Sequence, residues 1–177
     1  TDSVKQINKL IASANSETSA LTIDIEDNST SNLLLKTGTL ITGGASGSTI
    51  TIDLGTLTAT DALLNQIDNL GAQAGVTSIT ATINGVTSDR LEHIKTLTNV
   101  SNAAKYKLSY VTSGEITLAQ AKDLTDHTNL STTTSIDFAG SITGDSTDFY
   151  NGSAFTSNFL AVLGKDANPA VKLTNTV

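Results

Sequence analysis

Between residues 58 and 145 one pattern comes three times: a helix-like segment, a small polar loop and an alternating strand. The helical segments are residues 61–70, 89–97 and 118–124, and the strands are residues 77–83, 106–111 and 135–139. Helix starts near Thr60, Ser88 and Thr117 and strand centres near Ile79, Leu108 and Ile136 advance together by roughly 28–29 residues, a period at which repeat architectures occur. In each helix the apolar residues return at helical spacing, as in Leu63, Leu64, Ile67 and Leu70. A helix–strand unit repeated in one direction makes each helix the crossover between neighbouring strands, so the strands run parallel.

Parallel strands covered on both faces read as unbroken apolar runs. These strands instead alternate with Thr, Ser, Lys and Asp, so one face should meet the helices and the other the solvent. The pattern predicts an α/β fold built as a helix–strand repeat, solenoid-like and with mostly parallel strands, in preference to a compact domain around a doubly covered sheet. The leucine-rich consensus is absent, so the likeness to leucine-rich arrays is one of architecture alone.

The remaining chain extends the pattern into a single repeat domain over residues 1–177. Unit 1 covers residues 1–27, where Asp2 or Ser3 can cap a helix and residues 21–25 alternate as a strand. A β insertion follows over 28–57, then the central repeats over 58–145 and a C-terminal unit over 146–177. Within the insertion, residues 33–35, 39–41 and 49–54 are strand-like around a glycine-rich turn at 43–47. That predicts an inserted β-hairpin, or extra strands of the same sheet. In the last unit, residues 144–153 read as a polar loop, 154–163 as a helix, and 170–173 as a strand after Pro169.

Composition narrows the core and the partners. Aromatics make up 4% of the chain and Trp is absent, so Leu, Ile, Val and Ala must build a thin, layered core. About one residue in six is Thr, whose methyl packs and whose hydroxyl meets water on a half-exposed strand. The formal charge is −7, with Arg90 the sole arginine and the lysines scattered. Phosphate binding needs clustered cations, so neither nucleic acid nor an anionic membrane surface is an expected partner. No apolar run is long enough to span a bilayer, and no membrane insertion is expected. Cys is absent, which excludes disulfides, thiolate metal sites and a thiol nucleophile. The chain opens on Thr1 without Met or a signal-peptide pattern, so a processed N-terminus and an excised fragment are equal expectations.

Few residues point to chemistry. Asp24, Glu26 and Asp27 crowd one strand end, and Asp145, Asp148 and Asn151 precede Gly152. Both sets offer the hard oxygens that calcium takes. Neither matches the EF-hand pattern, and simple turns account for both more economically. No cofactor is expected, calcium being the metal these oxygens suit. His93 and His127 are the only imidazoles. Asp126 and His127 could serve a hydroxyl nucleophile, but sequence neighbours rarely point at each other and no G-x-S-x-G elbow is present. No enzyme is expected. The hydroxyl-rich strand side could be solvated or meet polysaccharide, with Tyr106 and Tyr110 as the aromatics able to stack on a sugar.

Residues 114–124 (GEITLAQAKDL) and 135–139 (SIDFA), with the matching units before them, resemble the Thr/Asp-rich helix–strand repeats of very long secreted surface proteins from marine bacteria and cyanobacteria. The resemblance implies a structural role outside the cell, as a surface-layer subunit, matrix filament or adhesin stalk. An open array also has two ends whose strand edges invite pairing, and Ala170, Val171, Lys172 and Leu173 offer one such edge. The expectation is an extracellular structural protein that assembles with itself into a filament, surface layer or matrix. The alternative is a glycan-binding adhesin or virion-fibre module.

Overall fold

The structure, a computed structural model, describes residues 22–26, 49–72, 76–127 and 135–175. In chain order the elements are β1 (Thr22–Glu26), β2 (Thr49–Thr58), α1 (Asp61–Gly71), β3 (Val76–Val86), α2 (Ser88–Thr96), β4 (Tyr106–Thr112) and β5 (Ile116–Thr117). There follow α3 (Leu118–Asp126), β6 (Ser135–Asp137), β7 (Ile142–Gly144), α4 (Ser146–Phe149), α5 (Ser157–Leu163) and β8 (Val171–Leu173). The strands form two sheets, ordered β1-β2-β3-β4-β6 and β5-β7-β8. Every pairing between these strands is parallel, and neighbours in each sheet follow their order in the chain. The fold is α/β, with helices and strands alternating.

A threonine opens the principal helices by the same device. The side chains of Thr60, Thr87, Thr117 and Thr156 accept the backbone N–H groups of Leu63, Arg90, Gln120 and Phe159. At Thr117 the Gln120 Oε1 accepts the Thr117 N–H in return at 2.9 Å, completing a capping box. The cap of α2 is Thr87, one residue ahead of the expected Ser88, because Thr87 is the residue left in extended backbone. From each cap, the fourth residue (Leu64, Leu91, Ala121) and the seventh (Ile67, Ile94, Leu124) face inward, each no more than 2% exposed. They meet the inner strand rows, such as Ile52–Ile79–Tyr106, in one contiguous core.

The hairpin expected in the insertion does not form at β2. A hairpin strand needs an antiparallel partner, whereas Ile52 stands beside Ile25 and Ile79 with both neighbours parallel. β2 is one more rung of the same sheet. The strand-like residues 33–35 and 39–41, the turn at 43–47 and the first helix lie outside the described residues. The strand expected over residues 77–83 runs on through Asn84-Gly85 to Val86. The backbone takes a left-handed φ at Gly55 (60°), Gly85 (72°) and Gly114 (80°), one glycine in each of three consecutive units. The first two coincide with register shifts in β2 and β3, where the strands bend and continue. At Gly114 the turn separates β4 from β5, which joins the second sheet. The last unit differs from its expected loop and helix: α4 forms within the loop, and the final helix starts only after Thr156.

Polar contacts join elements 28 or 29 residues apart. Arg90 pairs with Asp61 and Lys95 with Asp123, joining α1 to α2 and α2 to α3. The Asp123 carboxylate, with Glu92, holds the Lys95 pKa above the ordinary lysine value. Asp166 Oδ2 accepts the Phe138 N–H at 2.9 Å and Asp145 Oδ1 accepts the Thr174 hydroxyl at 2.6 Å. Among the described residues no helix is long and apolar enough to cross a membrane.

Candidate functional site

The solvent face of the first sheet carries two polar rows. One runs Asp53–Thr80–Lys107 and the other Thr56–Thr82–Ser109–Ser135, each residue in register with the next. Parallel strands lie about 4.8 Å apart, so the second row places hydroxyls at about that interval. Ser135 Oγ donates to Ser109 Oγ at 3.0 Å, which satisfies part of the row internally. A shallow groove runs between Asp53, Thr80, Thr82, Lys107 and Ser109.

Tyr106 and Tyr110 are not on this face. They alternate with Lys107 and Ser109 on β4, which turns both rings into the core beside Leu108, where they are buried. The Tyr106 hydroxyl donates to the carbonyls of Ile67 (3.1 Å) and Asp68 (2.8 Å), closing the end of α1. Gly71 makes room for it, since a Cβ there would overlap the Tyr106 ring. The Tyr110 hydroxyl is buried without a hydrogen-bond partner. Burial raises the pKa of both phenols above the ordinary tyrosine value. Neither ring can stack on a sugar. Leu108 between them was the signal, because residues two apart on a strand share its face.

In the C-terminal unit the expected calcium oxygens accept hydrogen bonds from nearby backbone and side-chain groups. Asp148 Oδ2 accepts the Asp145 N–H at 2.8 Å, and Asp145 Oδ1 holds Thr174. Asn151 Oδ1 accepts the N–H groups of Ser153 (3.1 Å) and Ala154 (3.0 Å), so it shapes a turn. Asp24 and Glu26 stand on β1 in register with Thr51 and Asp53, while Asp27 lies outside the described residues. Among the described residues no three His, Cys, Asp or Glu side chains come together around a metal position. Asp126 is paired with Lys122, and the backbone N–H of His127 caps α3 by donating to the Asp123 carbonyl at 3.0 Å. His93 Nε2 meets Asn65 Oδ1 at 3.1 Å across the α1–α2 seam.

Two charged or aromatic features escaped the sequence reading. Asp68, on the inward side of α1 beside Ile67, is buried and accepts the N–H groups of Asn99 (2.7 Å) and Val100 (3.0 Å). It ties one unit to the loop of the next. Tyr150 and Phe155 face each other edge to face, 6.3 Å between ring centres, across a tight turn, and both are exposed.

Apolar residues of the C-terminal unit are more exposed than their counterparts in the central described segments. β8 pairs along one edge with β7, setting Val171 beside Ile142 and Lys172 beside Thr143. In the same row Ile116 and Ile142 are no more than 1% exposed, whereas Val171 is 41% exposed. Leu160, fourth from its cap like Leu64, Leu91 and Ala121, is 53% exposed. Leu173 is exposed as well, and Lys172 pairs with Glu115 across β7. Ala170 contributes its carbonyl to the Ile142 N–H at 2.8 Å.

No family model matches the chain, and no curated protein or solved structure matches it either.

Proposed function

We propose that this chain is a structural protein of the cell exterior, a solenoid-like array that assembles with copies of itself into a filament, surface layer or matrix. One observation carries the reading: β8, paired among the described residues with β7 alone, exposes Val171 in a row where Ile116 and Ile142 are buried. Parallel strands stacked in chain order bond only to their neighbours, so the pattern can continue by adding units. A free edge flanked by apolar side chains is the natural place for that addition. The likeness to repeats of long secreted surface proteins supports the same role. The test is sedimentation velocity across a concentration series, with negative-stain electron microscopy of the most concentrated sample. The expected result is a growing population of elongated oligomers. A single monomer boundary at every concentration would overturn the reading.

A second reading, a glycan-binding module, is favoured by the exposed Tyr150–Phe155 pair, which offers a stacking surface that Tyr106 and Tyr110 do not. A glycan array showing binding that Tyr150→Ala abolishes would establish it; an array without hits would remove it.

A further inference from the structure

We infer that Asn151 is a site of spontaneous covalent modification in the folded protein: its side chain cyclises onto Gly152, loses ammonia and becomes aspartate and isoaspartate. The inference goes beyond both readings above and requires neither. The chain has two Asn-Gly pairs, Asn84-Gly85 and Asn151-Gly152. Glycine leaves its backbone nitrogen unscreened by a side chain, so the sequence opens this reaction to both pairs. The fold separates them.

Asn151 sits in the tight turn between Tyr150 and Phe155, where Asn151, Gly152 and Ser153 are all exposed. Its Oδ1 accepts three hydrogen bonds, from the N–H groups of Ser153 (3.1 Å) and Ala154 (3.0 Å) and from the Ser153 hydroxyl (3.1 Å). Those donors draw electrons from the amide carbon and stand where negative charge gathers on Oδ1 when Cγ is attacked. The nucleophile is the next atom group along the chain. The Gly152 N–H makes no hydrogen bond among the described residues, and the backbone there, at φ 93°, has open space where a side chain would stand. Hydroxide takes the proton of the Gly152 N–H, and the nitrogen bonds to Asn151 Cγ. The Cγ–Nδ2 bond breaks, Nδ2 takes up a proton, and ammonia leaves. Water then opens the resulting succinimide at one carbonyl to give aspartate or at the other to give isoaspartate.

Asn84-Gly85 is held against the same chemistry. Asn84 stands in register with Thr58 within β3, and its carbonyl accepts the Ala59 N–H at 2.8 Å. That carbonyl and the Gly85 nitrogen share one rigid peptide plane, so the bond resists the rotation that ring closure needs. Cyclisation there must await local opening of the sheet. At Asn151 the product has a consequence. Isoaspartate lengthens the main chain by a carbon, which puts the Asn151 N–H out of register with the Ala154 carbonyl it meets at 3.0 Å. Ageing of this turn therefore loosens the Tyr150–Phe155 pair and sets a negative charge beside it.

The test is to incubate the folded chain in mild alkali, digest it with trypsin and follow both sites by liquid chromatography and tandem mass spectrometry. Cleavage after Arg90 and after Lys165 leaves the two Asn-Gly pairs in separate peptides. Conversion of amide to acid is expected about tenfold or more faster at Asn151 than at Asn84, with isoaspartate among the products. In urea, which removes the strand's protection, the two rates should converge. Equal rates in the folded chain would overturn the inference, as would an unchanged Asn151 under conditions that convert the unfolded chain. A preference for Asn151 that persisted in urea would overturn it too, because the sequence and not the fold would then be choosing the site.

Discussion

Tyr106 and Tyr110 occupy the same face of one strand, yet their hydroxyls have opposite circumstances. Tyr106 donates to two carbonyls at the end of α1, while the buried Tyr110 hydroxyl has no partner. Tyr106→Phe should therefore destabilise the fold by about 1–2 kcal/mol, and Tyr110→Phe should be neutral or stabilising, as urea denaturation would show. Alkali gives a second test. Both phenols hold their protons more firmly folded than unfolded, so the unfolded chain ionises first as pH rises above the ordinary value of 10.0. Stability present below that value is progressively lost above it, and the melting temperature should fall. The doubly substituted Tyr106→Phe, Tyr110→Phe protein should show a shallower fall. Side-chain facing was legible here by counting in twos along β4. Whether a buried hydroxyl finds a partner was not, because that partner lies on a helix some forty residues earlier.

The elements themselves were largely legible. Apolar spacing located α1, α2, α3 and the strands between them, because packing one face per element leaves a periodic trace in the sequence. The corners were not. Gly85 follows Asn84, a pairing that ordinarily closes a hairpin, yet here it bends a strand that continues to Val86. The tie made by Asp68 was partly visible, since a carboxylate next to Ile67 and two before Leu70 sits on the inward stripe of its helix. Its worth can be measured. Asp68→Ala leaves the half-buried Asn99 and buried Val100 N–H groups without an acceptor and should cost about 2–4 kcal/mol. Thr60→Ala, which removes one helix cap, should cost about 1 kcal/mol in the same assay. If the two substitutions proved equally mild, the carboxylate would not be the joint between units.

At the scale of the described molecule, strand contacts run between neighbours in chain order within each sheet. Strand neighbours follow chain order, and polar ties such as Thr80 to Ile52 and Phe138 to Asp166 span 28 residues. The inner units, covered on both sides, should exchange their amide hydrogens most slowly, and β8 should exchange fastest among the strands. The C-terminal edge strand was legible at residues 170–173, but the exposure of Val171 was not, because Val171 differs from Ile142 in its neighbours and hardly in its chemistry. The in-order stacking has a mechanical side. Tension between β1 and β8 would act across the strands and peel them from an end in succession. In the proposed array each unit of roughly 28–29 residues would then release roughly 90–100 Å of extended chain. A pulling experiment should record a sawtooth of such steps, the signature of a tether that lengthens under strain before it breaks.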